Sequence, residues 1–433
     1  MMPSSFTYLA ADIPPAKVGD LIDAVDTPAA LLDLLAAEDN IIRACTLVRE
    51  AAVNAGVPVP SIRPHFKAHK CTQLALLQIS LSNGFTTGMC CQKVCEAEAC
   101  FAAGITDIYV CNQIVAPSKI SRLVSLAMRG ASVGVAVDCE SNVRALNEAA
   151  CAVGAKIRIL IEIEVGSARC GVASPEAAVA LAKIVESLPA LTFGGIHAYN
   201  GVVQHARQAE SRAEAAKNVA QSALLLRIAL EAEGIECRII TGGGTGTFLE
   251  DAKLGVLNEL QPGSYVLSDA DYSRNLGLGG EEQINEWAPA LTLLARVCSR
   301  RDGVEGKRWI VCDAGLKAQS TESGLPILLG TVKEYVNACE KAAAAAVASS
   351  STYYRPLAHL SSLLTTKSVS DEHLTLSPPH LSMTLPEDIQ VGTGLVLQFS
   401  HCDPAVNHFD FIVAHSKGIV VGVYRSTSRS PGV

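Results

Sequence analysis

The chain has no apolar run long enough to span a bilayer, no excess of positive charge, no Cys-x-x-Cys pair and no basic leader at its amino end. Each absence removes a class. A transmembrane helix needs about 18 or more consecutive apolar residues, so no membrane partner is expected. A net charge of −8 and a pI near 5.7 leave no electrostatic footprint for nucleic acid or an anionic surface. Asp12 and Asp20 stand early, where a secretory leader would carry positive charge. The fifteen cysteines are scattered singly, Cys90-Cys91 aside, without the spacing of a small disulfide framework. Thiols used this way suit a reducing compartment, and a cytoplasmic location is expected.

What is present indicates a folded chain of two domains. It has 433 residues, 49% of them apolar and only 18% charged, too many for one ordinary core and too apolar for disorder. From residue 28 onward, β-rich runs alternate with alanine- and leucine-rich helical ones. Candidate strands are Ser61–Phe66, Gly84–Gly88, Asp107–Val110, Ser132–Asp138, Lys156–Glu164, Leu191–His197, Cys237–Thr241 and Ser264–Leu267. Candidate helices include Pro28–Ala55, Gln92–Ala103, Pro175–Glu186 and Arg207–Glu233. Eight strands alternating with helices predict an α/β fold, a TIM-type (β/α)8 barrel over 28–280, with its site where the carboxyl ends of the strands meet the βα loops. After about residue 285 short β runs follow one another without regular helices. They predict an antiparallel β domain over 281–433, with residues 1–27 lying against it. The run from Lys341 to Ser351 is low in complexity and reads as a surface insertion, a short helix or loop with no catalytic part.

Three clusters carry chemistry. The octet Arg63-Pro64-His65-Phe66-Lys67-Ala68-His69-Lys70 closes the first candidate strand with five basic groups. Crowding by cations depresses a lysine pKa and makes the amine nucleophilic, as a Schiff base to an aldehyde cofactor requires. Read alone, the octet is equally well explained as a solvated basic turn. Thr241-Gly242-Gly243-Gly244-Thr245-Gly246-Thr247 follows the seventh strand. Consecutive glycines let backbone N–H groups converge on an anion, and the threonines add hydroxyl donors. No Gly-Lys-Ser/Thr follows and the spacing departs from a dinucleotide fingerprint, so a phosphate monoester fits best, with a flexible turn as the alternative.

The third cluster, His401-Cys402-Asp403-Pro404, follows the candidate strand Gly394–Phe399. In extended backbone His401 and Asp403 share a face and could chelate a divalent ion while Cys402 points away. Surface strands often carry such a pair, and a Cys402 ligand would instead favour zinc. Tyr199 and His205 follow the sixth strand, where they could orient a substrate and move protons; His205 alone also reads as a hydrogen-bonding residue at a helix start. Arg169 lies beyond the fifth strand, facing a phenolate or carboxylate, or forming an ordinary salt bridge.

Taken together, these residues resemble the pyridoxal-phosphate enzymes of the alanine-racemase-like fold, in the branch containing D-threonine aldolase and eukaryotic D-serine dehydratase. The resemblance runs from Asp26-Thr27-Pro28-Ala29 through RPHFKAHK (63–70), the Arg169 segment, AYNGVVQH (198–205), TGGGTG (241–246) and Gln261-Pro262-Gly263-Ser264-Tyr265. It continues through Asp313-Ala314-Gly315 and Asp371-Glu372-His373 to HCDPAVNHFD (401–410). It implies that Lys67 holds pyridoxal 5'-phosphate as a Schiff base and that Arg169 contacts the cofactor ring oxygen, with Tyr199 beside it. Gly243, Gly244 and Thr245, helped by Tyr265, would cradle the phosphate. His205 would be the base, and His401 and Asp403 would hold a divalent metal, with Glu372-His373 near it. Dehydratases of the branch look like His-x-Cys with zinc, aldolases like His-x-Asp, which suits Mg2+ or Mn2+, with Zn2+ the softer alternative. Asp403 therefore implies a lyase that cleaves D-threonine, D-allo-threonine and other D-β-hydroxy-α-amino acids to glycine and an aldehyde. Dehydration of D-serine or D-3-hydroxyaspartate is the alternative. A non-catalytic pyridoxal-phosphate homeostasis protein is a second, against which the added β domain argues. The resemblance also implies a homodimer. Ser430, where relatives have glycine, and the insertion near 341–351 are departures expected to affect the surface alone.

Overall fold

Runs such as Val133–Val137 and Ile157–Glu162 are rich in β-branched residues and are almost entirely buried, the pattern of parallel strands covered on both faces. A computed structural model describes residues 13–277, 287–303, 307–349 and 363–429. In chain order its strands begin with β1 (Ala29–Asp33). The barrel strands follow: β2 (Ser61–Ile62), β3 (Met89–Cys91), β4 (Asp107–Gln113), β5 (Ser132–Val137), β6 (Ile157–Glu162), β7 (Leu191–Ala198), β8 (Ile239–Gly242) and β9 (Glu259–Leu260). These eight are parallel and run in the order β2-β9-β8-β7-β6-β5-β4-β3. The ring closes where His65 bridges Cys90 in parallel and the Cys90 N–H donates to Pro64 O at 2.9 Å. Helices such as Val94–Ala102, Pro117–Met128, Glu140–Val153, Pro175–Ser187 and Ala209–Ala232 alternate with the strands.

Two barrel strands lie later or earlier than their sequence suggests. The Phe85 N–H and Thr86 N–H both bond to Ser82, holding a turn through 82–86, so the second strand starts only at Met89. Pro262 has no N–H to extend a ladder, so the eighth strand is Glu259–Leu260 and Ser264–Val266 forms a 3-10 turn.

The β unit contains β1 with β10 (Leu291–Asp302), β11 (Arg308–Cys312), β12 (Ile327–Thr331), β13 (Thr365–Val369), β14 (Leu374–Ser377), β15 (Gly394–Gln398), β16 (Phe411–Ser416) and β17 (Ile419–Arg425). Their main path is β13-β14-β11-β10-β1-β16-β17, with β15 pairing β10 and β12. Pairing is antiparallel except for β1 with β16. Pro28–Ala55 is thus not one helix: Ala29–Asp33 is a strand, and Asp33 Oδ1 accepts the Leu35 and Ala36 N–H groups to start the helix Leu34–Ala55. Among the described residues, 13–40, 266–273 and 287–429 group with the β unit, and 41–265 and 274–277 with the barrel unit. This differs from a barrel over 28–280, because the chain after residue 28 begins as a strand of the β sheet.

A regular helix, Val332–Ser349, is longer than the short helix or loop expected at the alanine run, which forms its carboxyl half from Lys341; alanine's helix propensity accounts for it. The amino segment meets the β sheet where Leu21 bridges Ile419 and the Gly19 N–H donates to Val420 O. Ser430 and residues 350–351 lie outside the described residues. No helix among the described residues is long and apolar enough to cross a membrane.

The barrel floor is ionic. Arg63, 4% exposed, donates to Glu259 Oε2 and Asp107 Oδ2, each at 2.8 Å, and Arg158 reaches Asp107 Oδ1 at 3.2 Å. Burial by itself would raise the Asp107 pKa, but the two guanidiniums hold it below the usual range. Removing one partner of a buried ion network strands the others. Arg63→Met is therefore expected to cost about 3–5 kcal/mol in urea unfolding; a cost near zero would show the network to be dispensable.

Candidate active site

Five barrel loops, each at a strand's carboxyl end, carry the residues singled out from sequence. Lys67 lies on the 3-10 turn Phe66–Ala68 just after β2. His65 caps that turn, its Nδ1 accepting the Lys67 N–H at 3.4 Å. An accepting Nδ1 places the ring hydrogen on Nε2, which faces Cys111 Sγ at 3.2 Å. The octet's other cations are drawn to separate partners instead of crowding together. Arg63 turns to the floor, Lys70 approaches Glu96 at 3.9 Å, and the His69 ring bonds to Gln78 and the Cys71 N–H.

The remaining loops join this turn in sequence-distant steps. A Cβ at Gly263 would meet the β-carbons of Ala68 and His65 at 3.2 Å, so the segment after β9 passes tightly over the Lys67 turn. Two residues later the Tyr265 N–H donates to Thr245 Oγ1 at 3.2 Å. Tyr265 thus touches the glycine loop through its backbone. Its buried hydroxyl accepts from Gln78 Nε2 at 2.9 Å. Tyr199 lies along the same loop, its Cε2 3.2 Å from where a Gly244 Cβ would be. Arg169 stacks over the Tyr199 ring at 5.7 Å and approaches Glu162 at 3.8 Å. His205 ends the short helix Val202–His205.

Gln204, unremarked in the sequence, fastens the two loops together. Its Oε1 accepts the Gly246 N–H, while Nε2 donates to Asn200 O and Thr247 Oγ1, all at 3.0 Å. A Cβ at Gly246 would sit 2.0 Å from Gln204 O, so glycine is required there, while one at Gly244 would sit 2.6 Å from Gln204 Oε1 and push the amide off its hydrogen bonds. Within the barrel, burial lowers the His197 pKa despite Glu162 and Cys111, keeping a neutral ring that takes a hydrogen bond from Gln261 Nε2 at 3.3 Å.

In the β unit, His401 is the cap of the helical turn Cys402–Ala405. The extended alternation expected there fails, because the chain turns helical at Cys402. Cys402 Sγ therefore does not point away: it groups with His401 and Asp269, the donor atoms lying within 4.8 Å of one another, and stands 3.5 Å from Asp403 Oδ1. Asp269 Oδ2 bonds both His401 Nδ1 at 2.8 Å and the Cys402 N–H at 3.0 Å. Burial works against charging His401, but the Asp269 hydrogen bond and the fields of Asp403 and Asp269 push its pKa up to about 9. Glu372 pairs with Lys317 at an exposed position.

Residues 39–271 match the alanine racemase N-terminal domain, and residues 290–415 a serine dehydratase domain. The chain belongs to the alanine racemase-like family. It is 35% identical to a D-threonine aldolase of an Arthrobacter species, over 96% of each chain. It is 36% identical to a 3-hydroxy-D-aspartate aldolase of Paracoccus denitrificans (strain Pd 1222), again over 96% of each. The solved structure of a D-threonine aldolase from Filomicrobium marinum superposes with a TM-score of 0.79 at 34% identity, covering 96% of this chain and 99% of that one. These relatives place the chain among the pyridoxal-phosphate enzymes of fold type III, in the aldolase and dehydratase branch.

The barrel residues fit that cofactor. Thr245 Oγ1 already accepts from Tyr265 N–H, so its own hydrogen can turn to a phosphate oxygen. Gly243, at φ +67°, bends the loop back on itself. The β-unit donors fit a divalent cation. A carboxylate on His401 Nδ1 fixes the tautomer that presents Nε2 to a metal, and the acidic surroundings that favour imidazolium favour a dication equally.

Asp251 underlies the glycine loop, accepting from Thr247 Oγ1 at 2.8 Å, and burial raises its pKa to about 7. A carboxyl whose folded pKa lies above its unfolded value near 4 stabilises the fold most when protonated. That contribution is lost as pH rises from about 4 through about 7. Asp251→Asn should flatten this slope, so its stability relative to the parent is higher at pH 8 than at pH 5 in urea unfolding. An unchanged slope would contradict the assignment.

Proposed function

We propose that this chain is a pyridoxal-phosphate- and divalent-metal-dependent aldolase that cleaves D-threonine, D-allo-threonine and related D-β-hydroxy-α-amino acids to glycine and an aldehyde. The observation that carries this reading is the acidic nest around His401, formed by Asp269 and Asp403, in a chain similar to aldolases over nearly its whole length. When bound, pyridoxal phosphate supplies an electron sink for the α-carbon, and the divalent ion a Lewis acid for the β-hydroxyl.

The chain's own residues then divide the work. Lys67 presents its amine to the cofactor carbonyl from a turn that His65 caps. Arg169, stacked on Tyr199, would contact the ring oxygen, and Gly243, Gly244 and Thr245 would hold the phosphate. His205 accepts the proton of the substrate β-hydroxyl. His401 and Asp403 hold the cation, a hard ion such as Mg2+ or Mn2+, and Asp269 orients the imidazole. A homodimer remains part of the proposal on family resemblance, and a cytoplasmic location on the scattered single thiols.

One observation favours a second reading. Cys402 stands beside His401 and Asp269, and a thiolate ligand would suit zinc and the dehydration of D-serine or D-3-hydroxyaspartate. Products separate the two. From D-threonine the aldolase gives glycine and acetaldehyde in equal amounts, and Lys67→Ala and His205→Ala each lower kcat by at least about 100-fold. Formation of 2-oxobutanoate and ammonia as main products would overturn the aldolase reading in favour of the dehydratase.

A further inference from the structure

The barrel interior holds a second set of metal-binding donors, of which the reaction above uses only His65, as the cap of the Lys67 turn. His65 Nε2, Cys90 Sγ and Cys111 Sγ lie within 4.8 Å of one another, with His65 Nε2 and Cys111 Sγ 3.2 Å apart, and all three residues are buried. Strand register brings them together. Cys90 on β3 stands opposite Tyr109 on β4, and Cys111 follows two residues later, so both thiols project to the same side. His65 is the residue whose bridge to Cys90 closes the barrel. The side-chain oxygens of Gln261 and Gln92 lie 3.6 Å from Cys90 Sγ and Cys111 Sγ, offering a fourth ligand.

Two thiols and one imidazole form a soft donor set. A tetrahedral zinc ion with sulfur at about 2.3 Å and nitrogen at about 2.0 Å requires a nitrogen–sulfur edge of roughly 3.5 Å. The observed edge is a few tenths of an ångström shorter, within reach of a small ring rotation. We propose that His65, Cys90 and Cys111 form a binding site for a soft divalent cation of the zinc and cadmium class, and that filling it opposes the turn carrying Lys67.

The opposition follows from proton placement. Each thiol releases its proton to solvent as its sulfur binds the ion. The imidazole binds as a neutral ring through Nε2, so its hydrogen must move to Nδ1. That nitrogen now accepts the Lys67 N–H, and the ion-bound form would set two N–H groups against each other. The site stands on its donors alone; the opposition rests on Lys67 being the cofactor lysine.

Cadmium titrated into the holoenzyme and followed by cadmium NMR tests both parts. The expected result is a resonance in the sulfur-ligated range, kept in Cys402→Ser and lost in Cys90→Ser and in Cys111→Ser. Should a buried variant fail to fold, zinc X-ray absorption of the Cys402→Ser protein counts sulfur ligands directly. Absence of sulfur ligation there, or a resonance that disappears only with Cys402, would overturn the site. With cadmium bound, cofactor should leave faster on dialysis; unchanged release would overturn the opposition and leave the site standing.

Discussion

The barrel depends on how its shortest stretch of sheet is closed. β2 has two residues, and the next three extend the closure without being strand. Arg63 N–H donates to Leu260 O on one side, His65 N–H donates to Pro262 O, and Pro64 O accepts the Cys90 N–H on the other. Along those residues the side chains alternate in duty. Arg63 ties the floor through Asp107 and Glu259, and His65 caps the turn that lifts Lys67 to the mouth. A closed sheet has no exposed edge and fixes the register of every strand. Each loop residue at the mouth takes its position from that register.

The mouth is then assembled by contacts between loop backbone and a few polar side chains. Gly263 packs on the Lys67 turn, the Tyr265 N–H reaches Thr245, and Gln204 holds Gly246. Such a scaffold can keep a Schiff-base lysine and a phosphate loop in register while leaving the side chains above it to act on substrate. In the β unit a single carboxylate, Asp269, does the equivalent work by fixing both the His401 ring and the backbone of Cys402.

Much of this was legible in the sequence, for physical reasons that also mark its limits. Period and composition gave eight parallel strands and placed Lys67, Arg169, Tyr199, His205 and the glycine loop on one end of a barrel. What failed depended on a neighbour distant in sequence. Ala29–Asp33 looks helical by composition but is a strand because β10 and β16 flank it. His401 and Asp403 look alternately placed, but the chain turns helical at Cys402, where Asp269 takes its N–H. Gln204, Gln261 and Asp269 carry no spacing signal, since their partners lie tens of residues or more away. The cation crowding read from the octet is not found, because Arg63, His69 and Lys70 turn to separate partners.

The central claim is that the turn after β2 presents Lys67, and not the neighbouring Lys70, to the cofactor aldehyde. Borohydride reduction of the holoenzyme fixes the cofactor to whichever amine holds it, and peptide mass mapping then locates it. The account predicts the added mass on Lys67 alone. Recovery of the label on Lys70, or on a lysine outside the octet, would contradict it.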